Sequence, residues 1–163
     1  MSGSSNKSKY TVARILHWVA GFIIAFNLLS GWKLEDFELD IRQIVIMIHS
    51  GIGITIAALM LFRWWWRRSH KLYVPPGWWK RPSMILQWIF YPLVLIQVCI
   101  GIMSAVFNDY DVRAYGFINF SALADANERL YAVFHELHGL TAILLIVLML
   151  LHGVERSRTA FSD

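Results

Sequence analysis

Residues 131–154 read YAVFHELHGLTAILLIVLMLLHGV, an apolar run that carries three histidines. At about 1.5 Å per residue, roughly 20 apolar residues cross a bilayer, so the run is long enough to span one. Imidazoles inside such a segment are costly and usually face a bundle interior where they have a task. His138 and His152 are fourteen residues apart, which on a helix turns them only about 40° from each other and separates them by roughly 21 Å along the axis. They share a face but not a depth.

Three further runs of this length, at about 12–32, 41–66 and 84–107, make four candidate spans. Hydrophobic residues make up 57% of the 163, and charged residues only 16%, well below the roughly 25% of soluble domains. The expected fold is therefore an all-α membrane protein, a four-transmembrane-helix bundle, with residues 1–163 forming a single domain. A net charge of +4 does not indicate nucleic acid, because the cations fall in alternate loops instead of along one face. Cys99 is the sole cysteine, so a disulfide, a thiolate metal site and covalent CxxCH haem attachment are all excluded. The first run follows Lys7, Lys9 and Arg14 as a signal peptide would, but its length and the lack of a small-x-small cleavage pattern point to a retained helix.

In chain order, residues 1–9 are polar and serine-rich, and are expected to be a mobile tail. The first helix carries Arg14, His17, Gly21 and Asn27 and ends at Trp32. An acidic loop follows, with Glu35, Asp36, Glu38 and Asp40. The second helix holds His49 and Gly53 and ends in FRWWWRR, an aromatic belt merged with a cationic cluster. A basic interfacial loop with His70, Lys71, Pro75, Pro76, Lys80 and Arg81 leads to the third helix, which lacks histidine and reads as scaffold with Pro92, Gln97, Gly101 and Ser104. The loop at 108–129 is long enough to form a small cap. Lys and Arg divide into eleven in the tail, second loop and C-terminus, including Arg156 and Arg158, against four (Lys33, Arg42, Arg113, Arg129) on the other side. The positive-inside rule then sets both termini in the cytoplasm.

With that topology, His17 and His152 share an inner level, and His49 and His138 share an outer one. Each pair joins two helices at matching depth, the arrangement for bis-histidine ligation of two haems in a four-helix bundle. Gly21 and Gly53 each follow a ligand candidate by four residues and clear its face for a flat macrocycle. Zinc or copper is the competing reading, but it needs more donors at one level than two imidazoles. His135, one turn nearer the outer surface, is open to two readings: a partner for a haem propionate or proton donor, or an interfacial residue without a special task. His70 is expected to be solvated. Arg14 reads equally as a partner of an inner-haem propionate or as a plain positive-inside marker. Arg113 and Arg129 are similar candidates at the outer face.

RILHW around His17, MIHSGIG around His49, HELHG with His138, LLHG with His152 and the preceding ADANERL resemble the bacterial cytochrome b561 family from about residue 10 to 154. That group includes superoxide oxidase and is related to the haem b subunits of nickel–iron hydrogenases and formate dehydrogenases. The resemblance implies two haem b groups, a quinone partner and a multi-pass protein of the bacterial inner membrane. It implies an oxidoreductase of the respiratory chain moving single electrons from an outer-side donor to the quinone pool, with superoxide as donor and ubiquinone as acceptor in the superoxide oxidase branch. The alternative is an anchor or relay subunit whose haems take electrons from a dehydrogenase or cytochrome partner, and the acidic outer loops would suit a basic partner.

Overall fold

The structure, a computed structural model, describes the chain apart from residues 1, 33, 35, 36, 73, 75 and 161–163, and apart from the side chains of 2–6, 82, 83 and 156–160. Lys33, Glu35, Asp36 and Pro75, and the side chains of Arg156 and Arg158, lie outside the described residues. Four helices, α1 (Ser2–Gly31), α2 (Leu39–Ser69), α3 (Pro82–Val106) and α4 (Glu128–Ala160), account for most of the chain. Each holds a stretch long and apolar enough to cross a membrane. A short 3-10 turn, Trp78–Lys80, precedes α3, and two-residue strands β1 (Arg113–Ala114) and β2 (Ile118–Asn119) form a hairpin between α3 and α4.

The ends of these helices follow from local chemistry. Asp40 in the first turn of α2 and Arg67 and Arg68 in its last complement the helix dipole. Pro82 occupies the opening turn of α3, where its missing N–H costs nothing, and α3 then runs through Pro92 without a break. Asn127 caps α4, its Oδ1 accepting the Leu130 N–H at 3.1 Å. The expected mobile tail is corrected: residues 2–9 continue α1, since each residue added to an existing helix gains a backbone bond at far less entropic cost than a new nucleus.

Neighbours run α1–α2, α2–α3 and α3–α4 around the bundle, with a lighter α4–α1 contact closing it. The interior is organised in seven-residue steps. Ile24, Ile56, Val94 and Leu145, one from each helix, are buried in one core cluster. Seven residues from that middle layer toward the hairpin stand Gly31, His49, Gly101 and His138; seven residues the other way stand His17, Arg63, Gln87 and His152. This is a heptad register, in which successive inward positions stay on one seam. Large apolar side chains such as Trp18, Phe22 and Leu29 are exposed on the outside, the surface a lipid environment covers.

A second apolar cluster, built on Ala105, Val106, Val112, Ala114 and Phe120, fastens the hairpin to the bundle. The 108–129 loop thus does form a cap, folded as a hairpin against α2. Tyr115 and Gly116 have φ of +51° and +82°, the positive values that a tight hairpin turn of the I′ kind requires at both central positions. Tyr115 donates its N–H to the Met47 carbonyl at 3.2 Å, and its hydroxyl lies 2.7 Å from Thr55 Oγ1.

Candidate functional site

Two pairs of imidazoles face each other across the bundle. His17 and His152 have ring centroids 6.0 Å apart and planes at 83°, and His49 and His138 have centroids 6.2 Å apart and planes at 79°. A metal held between two imidazoles takes a bond of about 2 Å to each nitrogen, and with about 1 Å from nitrogen to ring centre on either side the centroids would stand roughly 6 Å apart. The pairs have the spacing of two rings sharing one metal. Among the described residues no group of three or more His, Cys, Asp or Glu converges as a metal site, so each level offers two nitrogen donors. That donor set suits iron whose other four positions are filled by a porphyrin.

The hairpin-end pair is held by hydrogen bonds and by glycine. Ser30 Oγ donates to the Asn27 carbonyl at 2.9 Å and lies 3.2 Å from His49 Nδ1. With its one proton committed, Ser30 is placed to accept from an Nδ1–H, which leaves Nε2 as the lone-pair nitrogen. Across the bundle, Gln97 is buried on α3, where its Nε2 lies 3.3 Å from His138 Nε2 and donates to the His138 carbonyl at 3.0 Å. Gln97 Oε1 accepts from Thr141 Oγ1. His138 Nδ1 is buried without a hydrogen-bond partner among the described residues. Each ring of the pair therefore has one nitrogen engaged by a side chain of a neighbouring helix.

A Cβ at Gly31 would come within 2.8 Å of His49 Cε1, and one at Gly101 within 2.7 Å of His138 Cε1. Both distances are below what real Cβ atoms tolerate, so each ring lies directly on the backbone of a neighbouring helix. Gly21 and Gly53 differ: a Cβ at Gly21 meets no atom within 4 Å, and at Gly53 only Asn27 Nδ2 at 4.0 Å. Neither glycine is in tight contact with a neighbouring helix among the described residues. At the terminal-end pair, Phe90 of α3 packs edge to face on His152 at 6.3 Å.

The remaining candidates fall outside the two pairs. His135 is exposed and stacks on Tyr131 at 5.3 Å. The expectation that His70 is solvated is corrected: it is half-buried, stacks on Trp66 at 3.8 Å and places Nδ1 3.1 Å from the Trp66 carbonyl. The cause is that α2 continues to Ser69, which makes His70 its C-cap. Arg14 and Arg129 are exposed. Arg113 binds Asp111 at 2.7 Å, and that contact, with Asn119 adding a second hydrogen bond, holds the Asp111 carboxyl below the usual carboxylate range.

Sequence reading missed the contributions of Gly31, Gly101 and Gln97. The third helix is more than scaffold, since it supplies both the glycine and the amide that set His138. Gly31 and Gly101 stand seven residues after Ile24 and Val94, but that spacing points to an inward position and not to the imidazole each one meets, and it does not reach Gln97. No curated protein matches the chain. A family model described as prokaryotic cytochrome b561 matches residues 10–154. With four membrane-length helices and paired imidazoles in its interior, the chain belongs to the prokaryotic cytochrome b561 family of membrane haem b electron-transfer proteins.

Proposed function

We propose that this chain is a di-haem b membrane oxidoreductase that links a one-electron donor on its hairpin face to the quinone pool. The observation that carries this reading is the two-fold recurrence of facing imidazoles, at 6.0 and 6.2 Å, on opposite sides of one buried apolar layer. In it, His49 and His138 would hold an outer haem, and His17 and His152 an inner one. Haem iron supplies the one-electron chemistry. The chain's own residues orient the ligands: Ser30 fixes the tautomer of His49, Gln97 holds His138, and the glycines at 31 and 101 let both rings approach. Gly21 and Gly53 leave space for macrocycles, and Arg14 is an inner-side cation available to a propionate.

The excess of Lys and Arg at the end that carries both termini supports a cytoplasmic location for that end. The hairpin then faces outward from a bacterial inner membrane. Ubiquinone is the proposed acceptor and superoxide the proposed donor. Pyridine haemochrome analysis of the purified protein is expected to give two haems b per chain, and stopped-flow mixing with superoxide is expected to reduce them, with ubiquinone reoxidising them. One haem per chain would remove the two-level assignment, and reduction no faster than the uncatalysed reaction would remove superoxide as donor.

One observation favours a second reading, in which the haems accept electrons from a basic protein partner. Arg113, a cation that would help steer an anion to the outer face, is tied to Asp111, while Asp109 and Asp125 of the same connection and Glu128 at the start of α4 are exposed. Such a surface attracts a positively charged partner more readily than superoxide. Haem reduction by a basic cytochrome that slows steeply with added salt would identify this case.

A further inference from the structure

Arg63 is a buried cation in the bundle interior. It is only 9% exposed, its Nε has no hydrogen-bond partner among the described residues, and its guanidinium rests over the Tyr91 ring at 5.4 Å. Tyr91 is 6% exposed and its hydroxyl is likewise buried without a partner. Two polar groups that need an anion or an acceptor therefore sit side by side in the core. Their depth is set by the heptad register: Arg63 lies fourteen residues beyond His49 on α2, as His152 lies fourteen beyond His138 on α4. Arg63 thus occupies, in the layer of His17 and His152, the position that His49 occupies in the other layer. Phe90, the residue before Tyr91, packs edge to face on His152.

Among the described residues none supplies the counter-ion. From residue 41 to 108 there is no Asp or Glu, against seven Lys and Arg. Glu155 is the carboxylate at this end among the described residues, and it makes no ion pair with Arg63. A guanidinium taken out of water without an anion is strongly disfavoured, and its planar fork matches a carboxylate. We propose that Arg63, assisted by the Tyr91 hydroxyl, binds a propionate carboxylate of the haem held between His17 and His152. This rests on the two-haem reading above. The pairing makes Arg63 a positioning residue that fixes the rotation of that haem, and its positive charge favours the reduced state of the iron.

The test uses the purified holoprotein carrying haem with 13C-labelled propionate carboxyls, read by redox difference infrared spectroscopy and spectroelectrochemical titration. Arg63→Gln is expected to retain two haems, to shift one propionate carboxylate band, and to lower the midpoint potential of one haem only. The shift should be seen also in a His49→Ala background, which keeps the inner haem alone. Arg63→Lys should restore the potential in part but not the band of a bidentate pair. If Arg63→Gln yields no folded protein, Tyr91→Phe and Arg63→Lys carry the test, each expected to move the same band by a smaller amount. Two haems with unshifted bands in these variants would overturn the Arg63 assignment alone. One haem in the wild-type chain would instead overturn the two-haem reading beneath it.

Discussion

At the scale of single residues, the glycines that matter most are those in contact with imidazole, not those beside open space. Gly101 and Gly31 lie so close to His138 and His49 that a methyl group at either position must move a ring. Overpacking a fitted interior costs about 1–3 kcal/mol, and in binding that is roughly 5- to 150-fold. Gly101→Ala and Gly31→Ala are each expected to weaken haem retention at the hairpin-end pair by such a factor, read as loss of one haem per chain on detergent washing. The electron paramagnetic resonance signal of the remaining haem should keep its wild-type position. Gly21→Ala, whose Cβ meets no atom within 4 Å among the described residues, is expected to leave the hairpin-end pair unchanged and to act, if at all, at the terminal-end pair. An equal effect of all three variants on both haems would show that the glycines serve helix packing and not the sites.

At the scale of elements, the hairpin is bound to α2 through Tyr115, and that attachment carries backbone strain. A non-glycine residue in the left-handed region costs of order 1–3 kcal/mol, so the contacts of Tyr115 with Met47, Thr55 and the face of Gly51 must offset it. Tyr115→Phe removes the hydrogen bond to Thr55 at a cost of about 0.5–1.5 kcal/mol. It is expected to speed hydrogen exchange across 112–120 without changing haem content. The Asp111–Arg113 contact adds a pH dependence to the same element. Its carboxyl titrates below its ordinary 3.8 because Arg113 hydrogen-bonds the ionised form, with Asn119 contributing. A depressed carboxylate pKa gives a stabilisation that is whole above the unfolded value and is lost as pH falls through the folded one. Hairpin exchange should therefore accelerate below about pH 4 in the wild type, and Asp111→Asn should make it insensitive over that range. Little of this element was legible in the sequence beyond its length, because the turn is built on Tyr-Gly, held in shape by α2, and not on the Asn-Gly that signals a hairpin by itself.

At the scale of the whole molecule, the four spans were legible because a bilayer demands a length of apolar chain that few other structures contain. The two histidine levels were legible because His138 and His152 share one helix, so their separation is fixed by helix rise alone. What lies across the bundle from them was not: the contact of Gly31 with His49, or of Gln97 with His138, depends on how separate helices rotate against one another, and seven-residue spacing within a single span does not reveal that. The assembled register divides the interior into two polar layers with Ile24, Ile56, Val94 and Leu145 between them. Leu145 is seven residues from each histidine of α4 and only 1% exposed, which places it about 10 Å from either along the helix. Sites at that separation with no shared partner should respond independently to substitution. His17→Ala and His49→Ala are accordingly each expected to lose one haem, a different one by potential and spectrum, and the double variant to lose both. Leu145→Ala leaves a cavity and is expected to destabilise the bundle by about 2–5 kcal/mol, lowering the temperature of haem release while the chain still binds two haems at ambient temperature. Loss of both haems from either single histidine variant would mean that the middle layer couples the two levels, and that the bundle holds its cofactors as one cooperative unit.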